Sequence, residues 1–398
     1  CSYRRANDCR AARCTLAFTS STSENRLPKP VSVASLDPGG CDLQTELKHV
    51  SKVRRRNRVT ISDMADALGL TKSTVSRAMN GYPDISEATQ LRVKRMAEKL
   101  SYQPLSHAQA IKTGRTRSLG LVLQFADHDA QRPFLAEFLA GLTSGTHAEG
   151  WTLTVASSDG HADMIETFRV LLRDGKADGF VLPRAMRDDP RVQLLRDAGV
   201  PFVLFGRQVD ASGCAWFDIL GEEAMRDAVA HLVGLGHRRI GFINGGTQYA
   251  YAALREDGFR LGMQSAGLFL DDDLMEQDAV TIADGAKAAA RLLDQKVPPT
   301  AIVCAVDFAA LGAYQAVAAR RLQVGRDVSI IGYDGIPEGA HAQPPLTTFS
   351  VDNKSAGERL SNLLIRRIRG EPLTDLRETA SAIFADRGST GPVPTPSN

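Results

Sequence analysis

The most constraining feature of the chain is the run VTISDMADALGLTKSTVSRAMNG at residues 59–81. Thr60, with an acid three residues later, is typical of a helix N-cap. Apolar residues then recur at helical spacing, and Gly69 suits the positive φ at which many helices end. Thr71 is placed to cap a second helix, Lys72–Met79. The run therefore predicts two short helices joined by a tight turn.

The second of these helices has a polar outer face that includes Lys72, Ser73 and Arg77. A helix of this kind lies in the major groove of DNA by its N-terminal end, where such side chains reach base edges. Neighbouring short polar side chains suit phosphate oxygens. The alternative is an ordinary helical hairpin with a solvated face. The residues expected at DNA are Ile61, Ser62, Thr71, Lys72, Ser73, Thr74, Ser76, Arg77, Asn80 and Tyr102.

A third helix is expected from a cap at Ser86 to near Leu100. Three helices in about 40 residues make a minimal domain with a small core. Residues 106–112 follow, and they are too few and too polar to form a stable helix alone. They are typical of a segment that orders only on a partner.

The charge distribution supports nucleic-acid binding. Residues 52–117 contain 14 Lys or Arg against 5 Asp or Glu, a formal charge of +9, whereas the whole chain carries only +2. A basic block beside a mildly acidic body is the expected footprint of a DNA-binding head. The arginine-rich run at residues 54–58 lies just ahead of the first helix.

Residues 118–387 are too many for one ordinary hydrophobic core. Their apolar runs alternate with helical patterns, and the alternation restarts after Asp218. Such alternation predicts parallel sheets with helices on both faces. Two blocks in series indicate two lobes, with a ligand cleft at the carboxyl ends of their strands.

In order along residues 59–387, the chain resembles the lactose-repressor (LacI/GalR) family of bacterial transcription regulators. The resemblance rests on the run at residues 59–81, and on SEATQLRVKRMAEKLSYQP, AQAIKTGRT, HLVGLGHRRIGFING, ALREDGFRLGM, VDFAALGAYQA, DVSIIGYDG and PPLTTFSVD. It implies an all-α helix-turn-helix head and a periplasmic-binding-protein-like α/β core of two doubly wound parallel-sheet lobes, with chain crossings near residues 217, 349 and 378. Ile111 would be the apolar wedge that a hinge helix inserts into the minor groove.

The resemblance also nominates an effector site. Arg255 matches the arginine that bonds effector oxygens in related repressors, and its donor fork suits vicinal hydroxyls. Asp334 matches a carboxylate that accepts sugar hydroxyls. Asp307 either faces the cleft or caps the next helix, and Phe308 is placed to stack on a ring. The family often has Asn where this chain has Val306, so the effector is expected to differ from the best-known ones.

Three further side chains are expected at the cleft. Phe134 lies after the first strand of the core, where the alternative is a place in the lobe core. Arg184 and Arg207 follow two buried strands, GFVLPR and FVLFGR. These strand ends resemble those of α-glucoside-type regulators in the family. The alternative for each arginine is a surface ion pair.

The ends of the chain carry no recognised motif. Four of the six cysteines lie in the first 41 residues, and none has zinc-binding spacing. We interpret residues 1–51 as a disordered extension or a mis-called start, residues 52–104 as the head and residues 105–117 as hinge and linker. Residues 388–398 are expected to be a disordered tail. No transmembrane span, signal segment, cofactor or metal site is expected.

Together these patterns predict a cytoplasmic regulator, nucleoid-associated when bound, that represses a catabolic operon. It would bind a pseudo-palindromic operator as a homodimer and respond to a small effector, first of all a sugar. The alternative is a purine or other metabolite as effector. A solute-binding protein of a transporter is a remote alternative. An α/β enzyme is disfavoured because no nucleophile elbow, phosphate-binding glycine loop or metal spacing appears.

Overall fold

The computed structural model describes residues 59–102, 114–124, 132–158, 160–208 and 212–393. These residues divide into two compact units, one ending at Tyr102 and one starting at Gln103. The expectations for residues 1–51, for Ile111 and for most of the hinge fall outside the described residues. In the described part, no helix is long and apolar enough to cross a membrane.

The first unit consists of three helices: α1 Ile61–Leu68, α2 Lys72–Met79 and α3 Glu87–Lys99. Thr60 and Asp63 form a reciprocal capping box at the start of α1. Gly69 ends α1 in the left-handed conformation, with φ of 65°. These local signals confirm the predicted pair of helices and the turn between them.

The core of this unit is small, as a three-helix domain of this length requires. Its fully buried members come from all three helices: Met64, Ala65, Leu68, Val75, Ala78, Val93 and Ala97. Ile61 and Tyr102 pack against this core and are partly buried. Arg92 of α3 donates a hydrogen bond to the carbonyl oxygen of Leu68, 2.8 Å away, and so ties α3 to the end of α1.

The second unit starts with alternating strands and helices that build one lobe. In chain order these are β1 Ser118–Gln124, α4 Arg132–Ala148, β2 Thr152–Ser158, α5 His161–Arg173, β3 Gly179–Leu182, α6 Pro190–Asp197, β4 Phe202–Phe205 and β5 Ala215–Ile219. Strands β1, β3 and β4 are almost continuous runs of buried residues, as strands covered on both faces require.

The chain then builds the second lobe. Its elements are α7 Gly221–Gly234, β6 Ile240–Ile243, α8 Ala250–Ser265, a 3₁₀ turn Asp272–Leu274, β7 Met275–Glu276, α9 Ile282–Leu293, β8 Ala301–Cys304, α10 Asp307–Ala319, β9 Ser329–Asp334, α11 Pro337–Ala340 and β10 Thr347–Ser350. Helices α9 and α10 pack so closely that a Cβ on Gly312 would lie 2.2 Å from the carbonyl oxygen of Ile282.

The last elements return to the first lobe and then cross again: α12 Asn353–Ile368, a 3₁₀ turn Leu373–Asp375, β11 Arg377–Ala380 and β12 Ile383–Ala385. The sheet orders are β11-β5-β4-β3-β1-β2 and β12-β10-β9-β8-β6-β7. Pairing is parallel except that β12 runs antiparallel to β10. The chain thus crosses between lobes after β5, after β10 and between β11 and β12.

Residues 388–393 differ from the disordered tail that their composition predicts, because they pack on the second lobe. Ser389 is fully buried. Its Oγ donates to the carbonyl oxygen of Ile330 at 2.6 Å and accepts from the amide of Thr347 at 2.8 Å. Gly391 donates to Ser329 Oγ at 3.0 Å, and its carbonyl lies 3.0 Å from His237 Nε2. Buried polar groups of the lobe therefore order a segment that has no apolar pattern of its own.

Deleting residues 389–398 should lower the free energy of unfolding by roughly 2–5 kcal/mol, because it removes partners from several buried polar groups. Deleting only residues 394–398 is the matched control and should have little effect. Urea denaturation followed by circular dichroism measures both variants. Equal midpoints for the two deletions would contradict the structural role of the packed segment.

Candidate functional site

Helix α2 carries the polar face that the sequence assigns to DNA. Lys72, Ser73 and Arg77 are exposed, as are Thr71 and Asn80 at its ends. Thr74 and Ser76 are half-buried. The residues predicted to contact DNA therefore form two groups. Those on and beside α2 are exposed or half-buried, and Ile61, Ser62 and Tyr102, outside α2, are partly buried.

Arg77 has partners within the head. Its guanidinium pairs with the carboxylate of Asp84 and lies 5.4 Å from the ring centroid of Tyr82. Both members of the ion pair are about half exposed, 48% for Arg77 and 46% for Asp84. An exposed pair of this kind contributes little stability. The guanidinium can therefore exchange this carboxylate for another acceptor at low cost.

Between the lobes of the second unit lies a cavity of about 480 Å³, within the usual range for small-molecule sites. The first lobe contributes Phe134, Glu137, Arg184, Phe205, Asp218 and Ile219. The second contributes Tyr251, Leu254, Arg255, Val306, Phe308 and the segment from Tyr333 to Pro337. Ser350, Val351 and Asn353 line it where the chain crosses back.

Arg255 on α8 is held between two aromatic rings in the cavity wall. Its Cζ lies 4.5 Å from the ring centroid of Tyr251 and 3.8 Å from that of Tyr333. Nη1 donates to the carbonyl oxygen of Ala305 at 2.5 Å. Among the described residues, the buried Nε of Arg255 and hydroxyl of Tyr333 have no hydrogen-bond partner. Buried groups of this kind gain most from a polar ligand.

Asp334 ends β9 and lines the same wall. Removal of its carboxyl from water raises its pKa from 3.8 to about 7, although the positive charge of Arg255 acts in the opposite direction. Its backbone has a φ of 126°, in the left-handed region that side chains rarely adopt. Asp334 therefore has an unfavourable backbone conformation, and its carboxyl group lines the same cavity as Arg255. Both features are common in binding sites.

Arg184, just beyond β3, also lines the cavity. Its φ is 51°, and its guanidinium lies 5.7 Å from the ring centroid of Tyr249. Its carbonyl oxygen accepts a 3.0 Å hydrogen bond from Arg191, which is buried with Asp189. The loop that carries Arg184 is thus held by a hydrogen bond from Arg191, and the guanidinium of Arg184 lies near Tyr249 of the second lobe.

Arg207 does not line the cavity. Its Nε donates to Asp218 at 2.6 Å, and its Nη2 pairs with Glu222 of α7, so it forms the ion pair that was the alternative interpretation. Asp218 lines the cavity in its place. Burial raises the pKa of Asp218 even though Arg207 opposes the shift. The sequence could not distinguish these roles because Arg207 follows β4 and Asp218 lies near the end of β5, two neighbouring strands of the same sheet.

Asp307 also lies outside the cavity wall, contrary to the expectation of an effector contact. It is fully buried at the first position of α10. Its carboxylate accepts hydrogen bonds from the amides of Gly335 and Ile336 and from the hydroxyl of Thr348. The alternative was that the Asp307 side chain caps helix α10. Val306 occupies the N-cap position instead, and no side chain caps this helix.

Aromatic rings form the first-lobe side of the cavity. Phe134 stacks on Phe138 at 5.0 Å and on Phe205 at 6.0 Å between centroids. Phe134 thus belongs both to the cavity wall and to the lobe core. On the other lobe, Phe308 and Val306 supply apolar surface.

Sequence reasoning did not nominate several lining residues. Tyr251 lies one helical turn before Arg255, a spacing that places both on one face of α8. Asp218 lies near the end of strand β5. Glu137 and Asn353 carry no local signal, because only the tertiary fold brings α4 and the start of α12 to the cavity.

Apart from the chain crossings, the lobes meet directly at one edge of the cleft. Met186 and Tyr249 form an isolated antiparallel bridge. Arg187 donates its amide to Gln248 at 3.0 Å, and Ala250 donates to Ala185 at 2.9 Å. These hydrogen bonds join the loop that carries Arg184 to the start of the helix that carries Arg255.

Asp334→Asn should change how stability depends on pH. The raised pKa means that the folded protein holds the carboxyl proton more tightly than the unfolded chain does, so stability is lost as pH rises from about 4 to about 7. The Asn variant lacks this loss. Its stability relative to the parent protein should therefore increase between about pH 4 and pH 7, measured by urea denaturation. A difference that does not vary with pH would contradict the assignment.

The chain has clear relatives among known proteins. The model for bacterial regulatory proteins of the lacI family matches residues 60–105, and that for a periplasmic binding protein-like domain matches residues 229–390. The HTH-type transcriptional regulator AglR of Rhizobium meliloti is 33% identical over 84% of this chain and 95% of its own length.

Two solved structures complete the comparison. That of a transcriptional regulator CelR–cellobiose complex is 30% identical, with a TM-score of 0.63 over 83% of this chain and all of the other. The lac repressor dimer bound to operator and an anti-inducer shares the fold, with 23% identity and a TM-score of 0.70 over 84% of this chain and all of the other. This chain belongs to the lacI family of bacterial transcriptional regulators, which are DNA-binding proteins and not enzymes.

Proposed function

We propose that the protein is a repressor that binds a pseudo-palindromic operator as a homodimer and releases it when a sugar occupies the cavity between its lobes. The observation that carries this proposal is that Arg255 and Asp334 line one cavity in a chain with a helix-turn-helix head. Such a protein works in the cytoplasm, where the operator is.

A sugar suits the chemistry of the cavity. Its hydroxyl groups both donate and accept, so they can satisfy Arg255 and Asp334 together. Its apolar ring faces suit Phe134 and Phe308. The relative solved with cellobiose supports a saccharide as effector. A purine could stack on the same phenylalanines, so purines form the second arm of the screen below.

For DNA recognition we propose that Lys72, Ser73 and Arg77 contact base edges. Thr71, Thr74, Ser76 and Asn80 would contact phosphates, with Ile61, Ser62 and Tyr102 positioning the head. Arg77 would exchange Asp84 for DNA as it binds. Ile111 would act in the minor groove, within a hinge at residues 105–117. A two-fold dimer reads the two halves of such an operator, as in the lac repressor complex of the same fold.

The direct test is a thermal-shift screen of the full-length chain. The panel is maltose, trehalose, sucrose, cellobiose and lactose, with adenine, guanine and hypoxanthine as the second arm. Ligands that bind the folded state raise the unfolding temperature by mass action. A shift with a sugar supports the proposal, and a shift with purines alone would overturn the sugar assignment.

Arg255→Ala should abolish the response to the sugar that binds, while operator affinity stays within about twofold. A guanidinium in hydrogen bonds to a ligand contributes roughly 1.5–3 kcal/mol, or about 10- to 150-fold in affinity. Arg260→Ala on the same helix, where Arg260 pairs with Glu256, is the matched control. Isothermal titration and fluorescence anisotropy measure the two affinities. If Arg255→Ala still responds normally to the sugar, the proposed role of Arg255 in effector binding is wrong.

Lys72→Ala should weaken operator binding by about 5- to 100-fold if Lys72 reads a base, and it should relax site preference at one position. A loss confined to a phosphate contact would instead lower the salt dependence of binding uniformly across sequences. The operator is first selected from random duplexes, and affinity is then measured across a salt series. Lys287→Ala on the second lobe is the control. Unchanged affinity and preference in the Lys72 variant would contradict the groove assignment.

A further inference from the structure

A single buried carboxylate joins three segments of the second lobe. Asp307 Oδ2 accepts from the amide of Gly335 at 2.8 Å and from that of Ile336 at 2.9 Å. Its Oδ1 accepts from Thr348 Oγ1 at 2.7 Å. The side chain is fully buried, yet it does not line the cavity. A buried charge with three donors is costly to leave unpaired, so it fixes the positions of those donors.

Each joined segment carries residues of the cavity wall. Asp307 itself begins α10, between Val306 and Phe308, which both line the cavity. Gly335 and Ile336 follow directly after Asp334. Thr348 belongs to β10, which ends at another lining residue, Ser350. Asp307 therefore braces the wall from behind.

The segment that it braces has an unfavourable backbone. Asp334 has a φ of 126°, and Gly335 after it has a φ of 78°. A non-glycine residue stays in such a conformation only where its surroundings impose it. The Asp307 side chain also requires a glycine at position 332, because a Cβ there would lie 2.1 Å from Asp307 Oδ1.

We propose that Asp307 is a positioning residue for the effector response, which holds Asp334 in its left-handed conformation and so keeps that carboxylate in the cavity wall beside Arg255. This inference rests on the proposed function, because it assigns Asp307 a role at the same site. It replaces the effector contact that the sequence predicts for Asp307 with an indirect role.

The charge of Asp307 adds a second measurement, the pH dependence of sugar binding, which a purely structural role of Asp307 would not affect. The charged and titratable groups that act on the Asp334 carboxyl are Arg255 and Tyr251 of α8, Tyr333 of β9, Arg184 beyond β3 and Asp307 of α10. The backbone amide of Asp307 also donates to this carboxyl and lowers its pKa, and substitution of the Asp307 side chain leaves that amide in place. The negative charge of Asp307 raises the pKa of Asp334. Neutralising Asp307 without moving the loop therefore shifts the pH dependence of sugar binding to lower pH.

Asp307→Asn and Asp307→Ala separate geometry from charge. Asn can accept from the amides of Gly335 and Ile336 through its carbonyl and donate to Thr348, whose hydroxyl can reverse its role. Ala removes all three hydrogen bonds. Asp271→Ala is the matched control, because Asp271 pairs with Arg239 and accepts from the amide of Asp273 in the same lobe but away from the cavity.

The full-length variants are titrated with the tightest-binding sugar of the panel, from about pH 5 to pH 8. Asp307→Ala should lose at least about tenfold in sugar affinity while operator affinity stays within about twofold. Asp307→Asn should retain sugar affinity within about threefold at pH 8, with a lower pH midpoint. Parent-like affinity in the Ala variant, equal loss in Asp271→Ala, or an unshifted midpoint in the Asn variant would overturn the proposal.

A crystal structure of Asp307→Ala supplies a ligand-free test. Asp334 should leave the left-handed region in this variant, and an unchanged φ would overturn the proposal. If no sugar binds the parent protein, the proposed effector fails while this structure still decides the positioning role. If Asp307→Ala does not fold, Thr348→Val is the substitute, because it removes one hydrogen bond to Asp307. It should lose about threefold in sugar affinity, and no loss would contradict the proposal.

Discussion

The site depends on one covalent constraint, which is that the chain passes between the two sheets after β5, after β10 and after β11. These crossings keep the two lobes side by side, so that a cleft forms at the carboxyl ends of their parallel strands. Asp218 lies near the end of β5 and Asp334 at the end of β9, in different sheets, and yet both line one cavity. A ligand in this cavity contacts both lobes at once, and it can therefore favour one relative arrangement of the lobes over another.

Within that frame, polar groups are held by contacts that do not involve a ligand. The guanidinium of Arg255 lies over the rings of Tyr251 and Tyr333 and donates to the carbonyl oxygen of Ala305. Asp334 is kept in an unfavourable conformation by its neighbours. Such preorganisation lowers the entropy that binding must overcome. The bridge between Met186 and Tyr249 links the loop that carries Arg184 to the start of the helix that carries Arg255. The contact between the lobes therefore lies beside the cavity.

The sequence predicts the head almost to the residue because its signals are local: Thr60, Gly69 and Thr71 define helix ends by themselves. It also predicts the two α/β lobes, since alternation of strand and helix is visible along the chain. It fails where long-range packing decides. Asp307 and Arg207 follow strands as predicted, but burial and ion pairing turn them away from the cavity. Residues 388–393 pack on the lobe because buried polar groups of the lobe form hydrogen bonds with Ser389 and Gly391.

The central claim is that occupancy of the cavity and operator binding are linked. Linkage requires that the sugar change operator affinity by the same factor by which the operator changes sugar affinity. Both factors can be measured on the full-length chain, by fluorescence anisotropy with and without saturating sugar and by isothermal titration with and without operator. We expect equal factors of roughly 5- to 150-fold in the direction of release. Tight sugar binding that leaves operator affinity unchanged would contradict it.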